Sequence, residues 1–229
     1  MDIFNYDWDL LIILDTCRVD AIKEVKQEYE FINDINSHWS VGGSSNEWIL
    51  NTFNVDNINY VNKTSYVTSN PHAMTVLEKN FEKNFEGEIN GTHPLERYST
   101  HEPIDPEEFY TYVPLYKHHL DDQDYTSPRR VTDHVINIDR NDHSPRIVAH
   151  YMPPHKPYLA RQEDGEMLAG DPRDVTWESY IDNLRWGLNE VQILLNNVDR
   201  DRVVITADHG ENFLFRPILP GHRLGMMSP

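Results

Sequence analysis

Leu10-Leu11-Ile12-Ile13-Leu14-Asp15 is an unbroken apolar run that closes on a carboxylate, and it decides the fold class. Five aliphatic residues without alternation are too few for a core helix. They fit a strand buried on both faces, the type found in a parallel sheet covered by helices. Two further runs follow the same rule. Arg146-Ile147-Val148-Ala149-His150-Tyr151 stops at Met152-Pro153-Pro154-His155, and Val203-Val204-Ile205-Thr206-Ala207 stops at Asp208-His209-Gly210. Ser65-Tyr66-Val67-Thr68, stopped by Asn70-Pro71, is a weaker fourth. Between 175 and 197, Trp177, Ile181, Leu184, Leu188, Val191 and Leu195 recur at alternating steps of four and three. That spacing predicts one apolar helix face, with Asp174 or Thr176 as N-cap. The helix leads into strand 203–207, which is the wiring of a βαβ crossover. Helices are also predicted over 19–29, with Val19, Ile22, Val25 and Tyr29 on one side, and from about Ser45 through Trp48, Ile49 and Phe53. The stretch 84–127 is rich in Glu, Asp, Tyr, Pro and His without clear period, and is expected to be an irregular insertion or long connection. The expected architecture is a single α/β domain over 1–229, its mainly parallel sheet sandwiched by helices.

A chain of 229 residues supports one sizeable α/β domain, and 11% aromatic residues can furnish its core. The formal net charge of −18 argues against nucleic acid and anionic membrane as partners, because both require positive charge to displace counterions. Arginine outnumbers lysine. Acidic excess with scarce lysine suits a halophilic protein kept soluble in concentrated salt, and equally an ordinary acidic cytoplasmic one. The single cysteine, Cys17, excludes an intrachain disulfide. No run approaches the roughly 18 apolar residues of a membrane span, and the start lacks the basic region of a signal peptide. A cytoplasmic location is the expectation.

Ligands of open parallel sheets collect beyond the carboxyl ends of the strands. Three strands here deliver polar groups at that end: Asp15, then His150 and His155, then Asp208 and His209. Asp15 alone also suits an N-cap. The pair Asp208-His209 is more specific, because Gly210 lets the backbone turn while both side chains face one point. One imidazole with two carboxylates suits Zn, Mn, Mg or Ca.

These patches resemble the alkaline phosphatase superfamily, in particular its sulfatase-like branch. Leu14-Asp15-Thr16-Cys17-Arg18-Val19-Asp20 looks like the branch's opening motif, and Thr206-Ala207-Asp208-His209-Gly210-Glu211 like its second metal motif. His150-Tyr151-Met152-Pro153-Pro154-His155-Lys156-Pro157-Tyr158 is similar to the central motif in which a His before a Pro-Tyr pair reaches the substrate anion. Gly221-His222 resembles the late Gly-His that also faces the site. The four patches stand in the family's order. The resemblance implies an alkaline-phosphatase-like or sulfatase-like core and a divalent ion held by Asp15, Asp208 and His209. It also implies substrate contacts or general-acid roles for His155 and His222. Relatives continue past the late Gly-His with more sheet and helix, so it further implies a chain cut short at its C-terminus.

The family's nucleophile lies at a helix start some thirty residues after the first Asp, which corresponds to Ser40-Val41-Gly42-Gly43-Ser44-Ser45-Asn46-Glu47-Trp48. Ser45 is the preferred nucleophile and Ser44 the alternative; taken alone, either serine also suits a plain N-cap. The glycines would let backbone approach an anion at the helix start. Sulfatases carry Cys-x-Pro-Ser-x-Arg here, and its Pro and Arg are missing, so no formylglycine is expected. Cys17 is expected to be a buried small residue, Arg18 a partner of Asp20, and Glu211 a support for His209. His118-His119 with Asp121-Asp122 reads as solvated surface, and Arg129-Arg130 as too short for a nucleic-acid patch. The expected activity is hydrolysis or transfer of phosphate esters, less so sulfate esters, on small molecules or linked to glycans or lipids. The alternative is a catalytically degenerate sulfatase-like binding or surface protein.

Overall fold

Strand β1 (Leu10–Leu14) is fully buried and lies between two parallel neighbours, β4 (Arg146–Tyr151) and β7 (Val203–Thr206). The architecture comes from a computed structural model that describes residues 2–78, 101–117, 126–171 and 173–211. With β2 (Thr64–Thr68) and β3 (Thr111–Pro114) the sheet has, among the described residues, five strands, all parallel, in the order β3-β2-β4-β1-β7. The helices are α1 (Val19–Val25), α2 (Ser45–Thr52), α3 (Ile58–Val61), α4 (His72–Leu77), α5 (Pro128–Asn141) and α6 (Trp177–Leu195). A separate antiparallel hairpin, β5 (Ala160–Glu163) and β6 (Glu166–Ala169), turns through Asp164 and Gly165 at φ +50° and +84°.

The unbroken apolar runs are explained by cover on both faces. Leu10, Ile12 and Leu14 pack with α1, α5 and α6, whereas Leu11 and Ile13 pack with α2, α3 and α4. The β1–β2 connection passes α1 on the first face and then crosses the second through α2 and α3. The β2–β3 connection crosses the second through α4, and those moving toward β7 cross the first through α5 and α6, as right-handed crossovers require. Register then fixes the working edge. Leu14 pairs with Tyr151 and Ile13 with Thr206, so three strands end nearly level. Carried two residues on, that register sets Asp15 beside Asp208.

The strand and helix expectations are met to within a few residues, with particular differences. The first helix ends at Val25 and continues as a 3-10 turn over Lys26–Glu28. Thr176, not Asp174, caps α6, accepting from the N–H of Ser179 in a reciprocal capping box. Within the stretch expected to be irregular, Thr111–Pro114 pairs with β2 as the sheet's edge strand. Helix α5 and the β5–β6 hairpin are additions to the sequence reading. Among the described residues no helix is long and apolar enough to cross a membrane.

Candidate metal centre

The turn after β1 is shaped by two distant elements. Thr16 has φ +63°, a conformation that costs a β-branched residue about 1–3 kcal/mol. It is held there from both sides. Its N–H donates to Asp208 Oδ1 at 3.0 Å, and its carbonyl accepts the Tyr180 hydroxyl of α6 at 2.8 Å. Tyr180 Oη also accepts the Arg18 N–H at 3.0 Å. Asp208 Oδ1 takes a second N–H, from His209, at 2.8 Å. One carboxylate oxygen thus staples two strand ends, and the other, Oδ2, is left for the centre.

Ser44 and Ser45 separate by role at the start of α2. Ser44 is the N-cap, its Oγ accepting the Glu47 N–H at 3.4 Å. Ser45 is the first helical residue, and its Oγ donates to Asp208 Oδ2 at 2.7 Å. Ser45 Oγ also lies 3.4 Å from Asp15 Oδ2 and 3.3 Å from His209 Nε2. The two glycines do something other than cradle an anion. The Gly43 N–H is committed to Glu47 Oε2 at 2.7 Å, so the helix start is already met by the chain's own carboxylate. Gly42 is needed because the loop folds back on α2: a Cβ there would sit 2.4 Å from the Trp48 nitrogen and 2.7 Å from the Glu47 carbonyl carbon. Gly42→Ala must therefore push backbone off backbone, and we expect a loss of about 1–3 kcal/mol in urea unfolding. Unchanged stability would mean the loop is not seated in this way.

Asp15, Asp208 and His209 are all buried, with one ligand atom from each within 4.8 Å of the others. The Gly210 carbonyl, which can only accept, lies 3.2 Å from His209 Nδ1, so that nitrogen carries a proton and Nε2 is the atom turned to the cluster. His209 Nε2 lies 3.5 Å from Asp208 Oδ2 and 3.8 Å from Asp15 Oδ1. Asp15 Oδ1 is buried with no hydrogen-bond partner. Two carboxylate oxygens and one imidazole nitrogen converge, a donor set that suits a divalent cation. The cluster could hold a metal ion.

The electrostatics agree. Burial, then the charges of Asp208 and Glu211, push the Asp15 carboxyl well up, against the hydrogen bonds from Asn70 and Ser45. Burial pushes Asp208 the same way but is outweighed by His209, His150 and the hydrogen bonds from Thr16 and Ser45, so its carboxyl is lowered. Without a cation, then, Asp15 is the carboxyl that tends to keep a proton.

Two neighbours of the centre escaped the sequence reading. Asn70 Nδ2 donates to Asp15 Oδ2 at 2.6 Å, and Asn70 Oδ1 accepts the His72 N–H at 2.8 Å. His72 Nδ1 is buried without a hydrogen-bond partner, and the imidazole is held low by burial against the pull of Asp208. Both follow β2, so the strand-end rule that exposed Asp15 and Asp208 would have found them had the fourth strand been given equal weight. His155 is half-buried, with Nδ1 against the Lys156 carbonyl, and burial draws its imidazole down to about 4. No hydrogen bond between His155 and Ser45 is present. His150 is fully buried in β4, with Nδ1 2.9 Å from Tyr66 Oη and Nε2 3.8 Å from Asp208 Oδ2.

The remaining candidates are peripheral. Arg18 makes a two-pronged pair with Asp20, at 2.9 and 2.7 Å, and donates to the Glu211 carbonyl at 2.9 Å. It thereby holds the segment after His209 without reaching the centre. Cys17 is half-buried, less covered than expected, and desolvation with the charges of Asp20 and Asp208 raises its thiol to about 12. His222, His118, His119, Asp121 and Asp122 lie outside the described residues. No family model, curated protein or solved structure matches this chain.

Proposed function

We propose that this chain is a metal-dependent hydrolase or transferase of phosphate esters, with sulfate esters the lesser alternative, acting through Ser45 on a sulfatase-like variant of the alkaline phosphatase fold. One observation carries the reading. A serine hydroxyl at the start of a helix donates to a carboxylate oxygen that itself belongs to a buried Asp-Asp-His cluster with cation-binding polarity. A divalent ion held by Asp15, Asp208 and His209 would supply positive charge that lowers the pKa of the hydroxyl and stabilises charge on the phosphoryl oxygens. The chain's own part is to aim the hydroxyl. Asp208 Oδ2 accepts the hydrogen bond that points Ser45 Oγ. The hydroxyl proton passes to solvent water as Oγ forms its bond to phosphorus, and the ester oxygen leaves on the opposite side with the electron pair of the broken bond. Water, or an acceptor alcohol, then resolves the seryl ester. Hydrolysis and transfer differ only in that acceptor.

His155 enters this scheme in its neutral form. With Nδ1 facing a backbone carbonyl, its Nε2 is an acceptor, and an anionic ester alongside would raise its pKa and let it bind as a cation. Asn70 contributes by fixing one oxygen of Asp15, which leaves the other turned to His209.

The test uses the full chain. Elemental analysis is expected to find about one divalent ion per chain. Aryl phosphate mono- and diesters should turn over, with aryl sulfates slower. Chelation should abolish turnover, and Zn, Mn, Mg or Ca should restore it. A metal-free protein that is inactive on every ester, and whose melting temperature ignores added metal, would sink the reading in favour of a catalytically degenerate binding protein.

A further inference from the structure

Asp208 Oδ2 is flanked by two imidazoles, each held by the partner of its far nitrogen. His209 has Nδ1 against a carbonyl and turns Nε2 toward the centre. His150 has Nδ1 against the Tyr66 hydroxyl at 2.9 Å, and a hydroxyl, unlike a carbonyl, can donate as well as accept. The choice is settled on the other side of the ring. His150 Nε2 is fully buried, has no hydrogen-bond partner, and lies 3.8 Å from the oxygen of Asp208 that accepts the Ser45 hydroxyl. A bare lone pair against a buried carboxylate is repulsive; an N–H there is attractive even beyond hydrogen-bonding range. Tyr66 therefore donates to Nδ1, and Nε2 carries the hydrogen. Thr68, two residues after Tyr66 on β2, accepts the Asn70 N–H at 3.0 Å, so the phenol and the segment that grips Asp15 belong to one strand end. The ring is fixed on its remaining side by Trp48, whose indole meets it edge-on with centroids 5.8 Å apart. Trp48 belongs to the first turn of the helix that begins with Ser45.

We infer that His150 is a positioning residue: its Nε2–H, aimed by the Tyr66 hydroxyl, orients Asp208 Oδ2 toward Ser45. This inference rests on the proposed function, since it assigns a role within that same site. His150 touches neither the ester nor the attacking oxygen. It acts on the carboxylate that does, and couples that carboxylate to β2 and to the helix of the nucleophile. Partners that orient metal-binding carboxylates and imidazoles typically carry 10- to 100-fold in activity or metal affinity.

Three measurements test it. Nitrogen-15 NMR of the histidines in the wild-type protein at neutral pH should report His150 as the Nε2–H tautomer. His150→Leu should lower kcat about 10- to 100-fold with little change in KM, whereas His150→Gln, which returns an N–H to that position, should stay within about fivefold of wild type. Tyr66→Phe should scramble the tautomer signal and lower kcat in the same direction as His150→Leu. Circular dichroism and metal content of each variant show that the comparison is between folded, loaded proteins. An Nδ1–H tautomer, or equal kcat for the Leu and Gln variants, overturns the positioning role in an enzyme that is otherwise active. A wild-type chain that turns over no ester instead overturns the functional reading, and the role of His150 with it.

Discussion

Asp15→Asn is expected to reduce ester turnover to background and, in the presence of chelator, to raise the melting temperature above that of wild type. The two halves have one cause. In the metal-free protein the Asp15 carboxyl is fully buried beside Asp208 and Glu211, and burial and those charges push it well up. The asparagine keeps an oxygen to accept from Asn70, and Asp208 still staples the strand ends, while the repulsion disappears. A gain of about 1–3 kcal/mol corresponds to a few degrees for a chain of this size. Excess divalent metal should invert the order, because wild type gains the binding free energy of the ion and the variant loses a charged ligand. Asp208→Ala is the less informative change, since it also strands two buried N–H groups at about 1–3 kcal/mol each. Calorimetry with and without chelator reads the stability half and an aryl phosphate assay the catalytic half. An active Asn variant, or one that melts below wild type in chelator, is incompatible with a strained ion site at this position.

Ser45→Ala should lower kcat by at least about 10³-fold while leaving metal content near wild type. The alanine removes the oxygen that would attack phosphorus, and it removes no residue of the Asp-Asp-His cluster. Ser44→Ala gives the contrast. It deletes the N-cap of α2, which costs about 1 kcal/mol of stability, and its effect on turnover should be limited to what a frayed helix start causes. Acid quench during turnover, followed by peptide mass spectrometry, should find the phosphoryl group on Ser45 in wild type and nowhere in the alanine variant. Phosphoryl label on Ser44, or full activity of Ser45→Ala, would reassign the nucleophile.

What could be read in advance follows from where the physics is local. Burial on both faces leaves its mark in consecutive residues, so β1, β4 and β7 were legible as unbroken apolar runs, and the register between them carries Asp15 and Asp208 together. The apolar face of α6 was legible for the same reason. Helix α5 was not read, although Pro128 sits at its start and Val131, Val135 and Ile138 keep helical spacing, because Arg129, Arg130, Asp133 and Asp139 dilute the signal. The β5–β6 hairpin hides in polar strands around an Asp164-Gly165 turn. At the site, the sequence prefers Ser45 to Ser44 as nucleophile without separating their roles; the cap geometry does that. The roles of Tyr180, Asn70 and Tyr66 depend on partners 55 to 164 positions away, which no local pattern encodes.

The unusual backbone of Thr16 has a consequence for how this molecule should fail. Its dihedral is maintained by a phenol on α6, so the geometry of the working edge is borrowed from a helix on the covered side of the sheet. A latch of that kind releases as a unit. Local opening at the first turns of α6 would let Thr16 relax to an ordinary conformation and withdraw its N–H from Asp208, dispersing the ligand set while β1 and β4 remain paired. Heat should therefore silence the site some degrees before the sheet comes apart.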